Sequence, residues 1–199
     1  VGGGIKNEKE VDQLLRLGVD KVNINSAAVR DPKLLERLVK IYGASTIGVN
    51  IETIKIDNNY EILIETGRER TNIELFRWID KVQELNVGEI TVTEISKEGR
   101  NKGYNVNLYK DLRGRIDSQL VAHGGAGPLD NIVDLFNTAE VDAISIASLF
   151  HYKNIQAQEN SKLKGSNAYA KGIKEEDKFG MSVFDLKKYL LSKNIKLRI

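Results

Sequence analysis

The residues best suited to chemistry in this 199-residue chain fall into two matched sets. One is Gly2-Gly3-Gly4 followed by Asn25-Ser26; the other is His123-Gly124-Gly125 followed by Ala147-Ser148, about 121 residues further on. Glycines at a strand end let a ligand approach the backbone, and free N–H groups near a helix start favour an anion. Ser26 and Ser148 could each add a hydroxyl donor. One Gly-Gly pair could simply make a tight turn. Two pairs with two serines in a duplicated frame point instead to a phosphate at each end of an elongated ligand. Glu52 ends the strand-like run Ser45–Glu52 beside Asn50, and Glu98 lies in the polar loop Lys97–Asn105. Two such carboxylates could act as general acid and base, or be solvated with no role. His123 could bind phosphate, carry a proton or merely pack. Thr93, at the end of a neighbouring strand, completes the substrate-site candidates, whereas His151 reads as structural. Lys21 and Glu89 open strands at the opposite end. A charge pointing into an interior is costly unless paired. They are therefore either exposed strand starts or part of a salt-bridge ring plugging a barrel floor.

Positioning these groups requires a repeated strand–helix scaffold. Each copy reads as strand end, Gly-Gly loop, amphipathic helix, Val-Asp turn and strand, with Val19-Asp20 and Val141-Asp142 in register. Strands are predicted at Lys21–Asn25, Ser45–Glu52, Glu89–Ile95, Gln119–Ala122 and Ala143–Ala147, with a β-hairpin over Ile54–Thr66. Helices are predicted at Lys33–Tyr42 behind Asp31-Pro32, then at Ile73–Leu85, Val106–Leu112 and Pro128–Asn137, and last over Ser182–Lys193 with Ser182 as cap. The strands read as near-continuous apolar runs, as in a parallel sheet covered on both faces. The repeat period places the partner of the second half well before residue 1. The expected fold is therefore an α/β (βα)8 TIM barrel, N-terminally truncated to about six of its eight units. A complete open six-stranded sheet is the alternative. One domain is expected over residues 1–199, with a polar surface insertion at 152–180 before the last helix.

Composition narrows the classes. Hydrophobic residues make up 41% and charged residues 29%, and the net charge of +2 does not suggest a nucleic-acid partner. Without cysteine there is no disulfide, thiolate ligand or Cys nucleophile, which suits the cytoplasm. Two isolated histidines make a poor metal set, no cofactor is implied, and no apolar run reaches the ~18 residues of a membrane span.

The segments VGGGI, DKVNINSAAVRDP, GEITVT, EGRNKGY, GGAG, ASLFHY and FDLKKYLLSKNIKLR together resemble the HisF family, the cyclase subunit of imidazole glycerol phosphate synthase. The resemblance runs from Val1 to Tyr152 and resumes at Val183–Arg198. It implies a glutaminase partner whose ammonia crosses the barrel and reacts with a bisphosphorylated ribulosyl nucleotide. The products would be imidazole glycerol phosphate and an aminoimidazole carboxamide ribotide. It implies one phosphate site at Gly4, Asn25 and Ser26 and another at Gly99, Gly125, Ala147 and Ser148. Lys21 and Glu89 would be ammonia-gate residues, and Asp20 a glutaminase-interface residue.

The departures fall at the chemistry. Glu52 stands at a catalytic aspartate of the family, Ser96 and Glu98 at two loop aspartates, Arg100 at a threonine and His123 at a serine. Asp to Glu shifts a carboxylate by about one bond length, and misplacement of order 1 Å can cost roughly 100-fold in rate. The family's first catalytic aspartate belongs to a strand that precedes Val1, so the residues at hand are not expected to catalyse unaided. The pattern is similar to a divergent paralogue that channels ammonia to a separate sugar amidotransferase in surface-polysaccharide synthesis. An unrelated bisphosphate-binding barrel, such as a sugar isomerase, leaves Lys21 and Glu89 unexplained.

Overall fold

The structure, a computed structural model, describes residues 1–159 and 180–198. Its elements are α1 (Glu8–Arg16), β1 (Val22–Ile24), α2 (Ser26–Arg30), α3 (Pro32–Tyr42), β2 (Ile47–Ile56), β3 (Asn59–Ile64), β4 (Glu69–Glu74), α4 (Leu75–Glu84), β5 (Glu89–Glu94), α5 (Val106–Arg113), β6 (Gln119–His123), α6 (Leu129–Ala139), β7 (Ala143–Ser145), α7 (Ser148–Glu159) and α8 (Val183–Ser192). Short polar residues start the helices: Asn7, Asp31, Asn105 and Ser182 each accept a backbone N–H of the first turn.

Strands β1, β2, β5, β6 and β7 pair in parallel in that order, and Gly2 bridges to Asn23 at the β1 edge. Sequential parallel neighbours joined by helices define a TIM-barrel-like α/β fold. Both Gly-Gly loops hold two left-handed glycines in a row, Gly3 and Gly4 (φ 101° and 71°) and Gly124 and Gly125 (φ 77° and 121°). The duplicated frame is thus realised at the backbone, and each loop leads into a helix and then a strand.

The expected continuous apolar strands are corrected by the observed alternation. Val22, Ile24, Ile47, Val49, Ile51, Ile90, Val92, Leu120 and Ala122 are buried in one cluster with Leu35, Leu38, Ile79, Leu108, Leu112 and Leu135 of the helices. Side chains alternate along a strand. The opposite face therefore carries Asn23, Asn50 and Glu52, then Glu89, Thr91 and Thr93, then Gln119, Val121 and His123. Only the helix-facing side is apolar; the other is a polar interior, in which Thr91 and Thr93 are nevertheless buried.

The predicted hairpin forms as β2 and β3 (Glu52↔Leu63 through Ile56↔Asn59). Because β5 pairs with Gly48–Thr53 on one edge of β2, the hairpin continues the edge that β1 leaves after Val49. A further strand, β4, was not predicted. It displaces the expected helix start from Ile73 to Leu75. Its cause is local: Glu61 accepts the Asn72 N–H (2.8 Å) and pairs with Arg70, while the Thr71 hydroxyl donates to the Ile62 carbonyl (2.7 Å). Within the segment expected as a polar insertion at 152–180, Tyr152–Glu159 continue α7. Residues 160–179 lie outside the described residues.

Tyr109 locks α5 to the sheet. Its fully buried hydroxyl reaches the carbonyls of Val92 (2.7 Å) and His123 (3.1 Å). Tyr109→Phe removes the hydroxyl that donates to them and should cost about 1–2 kcal/mol. Thermal melts should show a loss of about 2–8 °C.

Candidate functional site

A cavity of about 1000 Å³ opens at the carboxyl ends of the strands. Glu52, Glu98, Gly99, His123, Gly125, Ala147 and Ser148 all line it, so seven of the residues singled out in the sequence meet at one place. The duplicate glycine set supplies its best-formed wall. Gly103 N–H donates to Gly125 O (2.8 Å), Ser148 Oγ donates to Asn101 Oδ1 (3.2 Å) and Tyr152 Oη to Gly99 O (3.3 Å). These bonds stitch loop 97–105 to the β6–α6 turn and to α7, fixing Gly99, Gly125 and Ser148 around one space. His151, expected to be structural, lines the cavity as well.

The first glycine set is arranged differently. Gly4, Asn25 and Ser26 are not among the cavity-lining residues. Beside Gly3 and Gly4 an added Cβ would meet nothing within 4 Å, so that loop is open. Asn25 Nδ2 donates to Glu52 Oε2 (3.1 Å), which links this set to the centre. Ser26 Oγ is engaged by the Glu65 N–H (3.0 Å).

Glu52 sits between the two sets. Burial raises its pKa above the ordinary carboxylate value, and Glu98 adds to the rise; the Gly67 N–H (2.9 Å), Asn25 and His123 oppose it. A proton held more firmly than usual is what a carboxyl acid–base group needs near neutral pH. Thr93 Oγ1 lies 3.1 Å from His123 Nδ1, holding the imidazole toward the cavity. Glu98 is exposed on its loop.

Sequence reading missed two features. Three cations that line the cavity, Arg68, Arg100 and Lys102, have no ion pair among the described residues. Arg68 comes from the β3–β4 turn, whose position only the hairpin defines. The second is Glu94, 4% exposed, which accepts from Ser96 Oγ (3.0 Å) and leaves its other oxygen unpartnered. Its position in the TVTE run places it on the helix-facing side, a signal that alternation could have given. Among the described residues no group of three or more His, Asp or Glu could hold a metal ion, and no helix is long and apolar enough to cross a membrane.

At the other end of the same sheet face, Lys21 Nζ contacts Glu89 Oε2 (2.6 Å) and Gln119 Oε1 (3.2 Å), and Asn23 Nδ2 lies 3.4 Å from Glu89 Oε1. Lys21 and Glu89, which the sequence left as either exposed strand starts or part of a salt-bridge ring, pair with each other, and Gln119 is a third member of the cluster. Asp20 is exposed beside it, and Leu17 is 82% exposed.

A sequential parallel sheet with a cavity at its carboxyl ends and a charged cluster at its amino ends defines a TIM-barrel-like α/β protein. The family model described as "Histidine biosynthesis protein" matches residues 1–156. The chain is 37% identical over 162 residues to "Imidazole glycerol phosphate synthase subunit HisF" of Prochlorococcus marinus (strain MIT 9515), which covers 80% of this chain and 63% of that protein. It is 39% identical over 153 residues to the protein of that name from Bacillus cereus (strain ATCC 10987 / NRS 248), covering 76% and 61%. The chain belongs to the HisF family of histidine biosynthesis proteins. It spans about three fifths of the length of these relatives.

Proposed function

We propose that this chain is the barrel part of a glutamine amidotransferase complex of the imidazole glycerol phosphate synthase type. It receives ammonia from a glutaminase subunit at the Lys21–Glu89 end and binds a bisphosphorylated ligand at the other. One observation carries the reading: the same polar sheet face joins the two ends. Between the floor cluster and Glu52 it holds Asn23 and Asn50, whose side-chain oxygens are buried without a donor. Orphaned acceptors of that kind are costly unless something donates to them. Ammonia, with three N–H groups, would satisfy them in transit. Gly48 leaves the necessary room, since a Cβ there would sit 1.9 Å from Asn23 Oδ1.

In this reading Gly99, Gly125, Ala147 and Ser148 hold one phosphate and Gly4, Asn25 and Ser26 the other. Glu52, with its raised pKa, transfers protons, with Glu98 opposite it and His123 and Thr93 against the ligand. Asp20 and Leu17 contribute to the glutaminase-facing surface, and strands contributed by the remainder of a full-length barrel close the ring.

A second reading keeps the conduit and drops the cyclisation, the ammonia passing to a sugar amidotransferase. What favours it is that four of the five replaced positions, Glu52, Glu98, Arg100 and His123 but not Ser96, line the cavity, whereas the floor pair is intact. The test joins the chain to the N-terminal segment of a full-length barrel, combines it with a glutaminase subunit, and supplies ammonium and the bisphosphorylated ribulosyl nucleotide. Imidazole glycerol phosphate formed at about 1 s⁻¹ or faster, the ordinary enzyme range, would support cyclase activity. Glutaminase association without product would support the second reading, and failure of both would sink the proposal.

A further inference from the structure

We infer that Ser26 and Arg30 form an anion-binding face whose occupant in this structure is the protein's own Glu65, and that a ligand phosphate takes Arg30 by displacing it. This rests on the proposed reading that Gly4, Asn25 and Ser26 hold a phosphate. Ser26 and Arg30 lie four residues apart in α2 and therefore on one side of it. Glu65 touches both: its N–H donates to Ser26 Oγ (3.0 Å) and its carboxylate lies 2.7 Å from Arg30 Nη1. Glu69 holds the other guanidinium arm (3.1 Å). The Glu65 carboxylate thus occupies the Arg30 cation, which a tetrahedral oxyanion could use equally well, while the Glu65 N–H occupies the Ser26 hydroxyl oxygen.

The same turn also constrains the centre of the site. Two residues after Glu65, the Gly67 N–H donates to Glu52 Oε2 (2.9 Å), and Thr66 and Gly67 line the cavity. Glu65, Thr66 and Gly67 are all left-handed (φ 53°, 60° and 72°). That conformation is uncommon for the first two and is sustained by the contacts around it. Arg30, Glu65 and Glu69 are each about half exposed, so their ion pairs are weak and exchangeable. A phosphate arriving between Gly4 and Ser26 would repel Glu65, take over Arg30 and lift the turn. Lifting the turn withdraws the Gly67 N–H from Glu52. Binding at one end of the ligand would thereby release the carboxylate at the centre.

The experiment is an amide NMR titration of the chain with inorganic phosphate in a Ser148→Ala background, which weakens the other cradle. Gly4 and Ser26 amides report phosphate arrival, Glu65 and Gly67 amides report the turn, and each spectrum reports the fold of its variant. Phosphate should shift all four together. Glu65→Ala should tighten phosphate binding and Arg30→Ala weaken it, each by roughly two- to fivefold, the range of an exposed ion pair; Arg30→Lys should lie between Arg30→Ala and the parent. Shifts at Gly4 and Ser26 with Glu65 and Gly67 unmoved, or with an affinity indifferent to Glu65→Ala, overturn the exchange while leaving the phosphate cradle standing. No shift at Gly4 or Ser26 in any variant overturns both the exchange and the cradle.

Discussion

Gly127→Ala should destabilise the chain by about 3 kcal/mol, at the upper end of overpacking costs, and lower its melting temperature by about 6–12 °C. The cause is backbone crowding. A Cβ on Gly127 would lie 1.9 Å from the Asn101 carbonyl oxygen and 2.3 Å from its carbon. No rotamer change relieves a clash with main chain. The β6–α6 turn or loop 97–105 must move, and that loop carries Glu98, Gly99 and Asn101. Moving it breaks the Gly103–Gly125 bond and the Ser148–Asn101 bond that shape the cavity wall. Phosphate affinity of the Gly99–Ser148 cradle, measured by calorimetry, should therefore fall at least about tenfold, the effect of losing one charge-assisted hydrogen bond. Gly99→Ala is the control. Gly99 is left-handed (φ 70°) but a Cβ there meets nothing within 4 Å, so the melting temperature should drop less.

Glu52→Gln separates stability from activity. Glutamine keeps a carbonyl oxygen for the Asn25 and Gly67 donors but cannot ionise. Burial raises the Glu52 pKa, so the folded chain holds this proton more tightly than the unfolded chain. That contribution to stability is fully present below the ordinary carboxylate pKa. It is lost as pH rises through the ordinary value to the raised one. Above that window the wild-type protein carries a desolvated anion that the variant lacks. Glu52→Gln should melt higher than wild type at pH 7, and the difference should vanish in acid. Under the cyclase reading, cyclisation by the full-length barrel in complex with its glutaminase should fall about 10²- to 10⁴-fold, the contribution of a general acid–base group. A variant that melts lower at pH 7 would contradict the burial account. Full activity would remove Glu52 from the chemistry.

Much of this was legible in the residues. Duplicated glycines and serines announced two equivalent loops, and both loops are doubly left-handed as only glycine readily permits. Strand and helix positions followed from periodicity because amphipathic faces must be buried. What periodicity could not reveal was which strand face was apolar by necessity and which polar by use. The short runs VNI and EITVT look hydrophobic until Asn23, Glu89 and Thr91 are assigned to one side. The β4 strand escaped notice because its reason is a single cross-strand carboxylate, Glu61, binding Arg70 and the Asn72 amide. The part of α7 beyond Tyr152 escaped because its polar composition carries no apolar stripe.

By itself the sequence determined that Lys21 and Glu89 share one end, that Glu52, Glu98 and His123 share the other, and that two Gly-Gly loops flank them. Chain direction in a parallel strand–helix alternation dictates which end each residue occupies. Only the tertiary structure decided that the two loops are unequal. Long-range contacts from loop 97–105 and α7 fix the wall around Gly99, Gly125 and Ser148, while the β3–β4 turn lays Glu65 and Gly67 across Ser26 and Glu52 at the other loop. Those contacts join residues 15 to 53 positions apart, and such a juxtaposition is set by how elements pack rather than by any local preference.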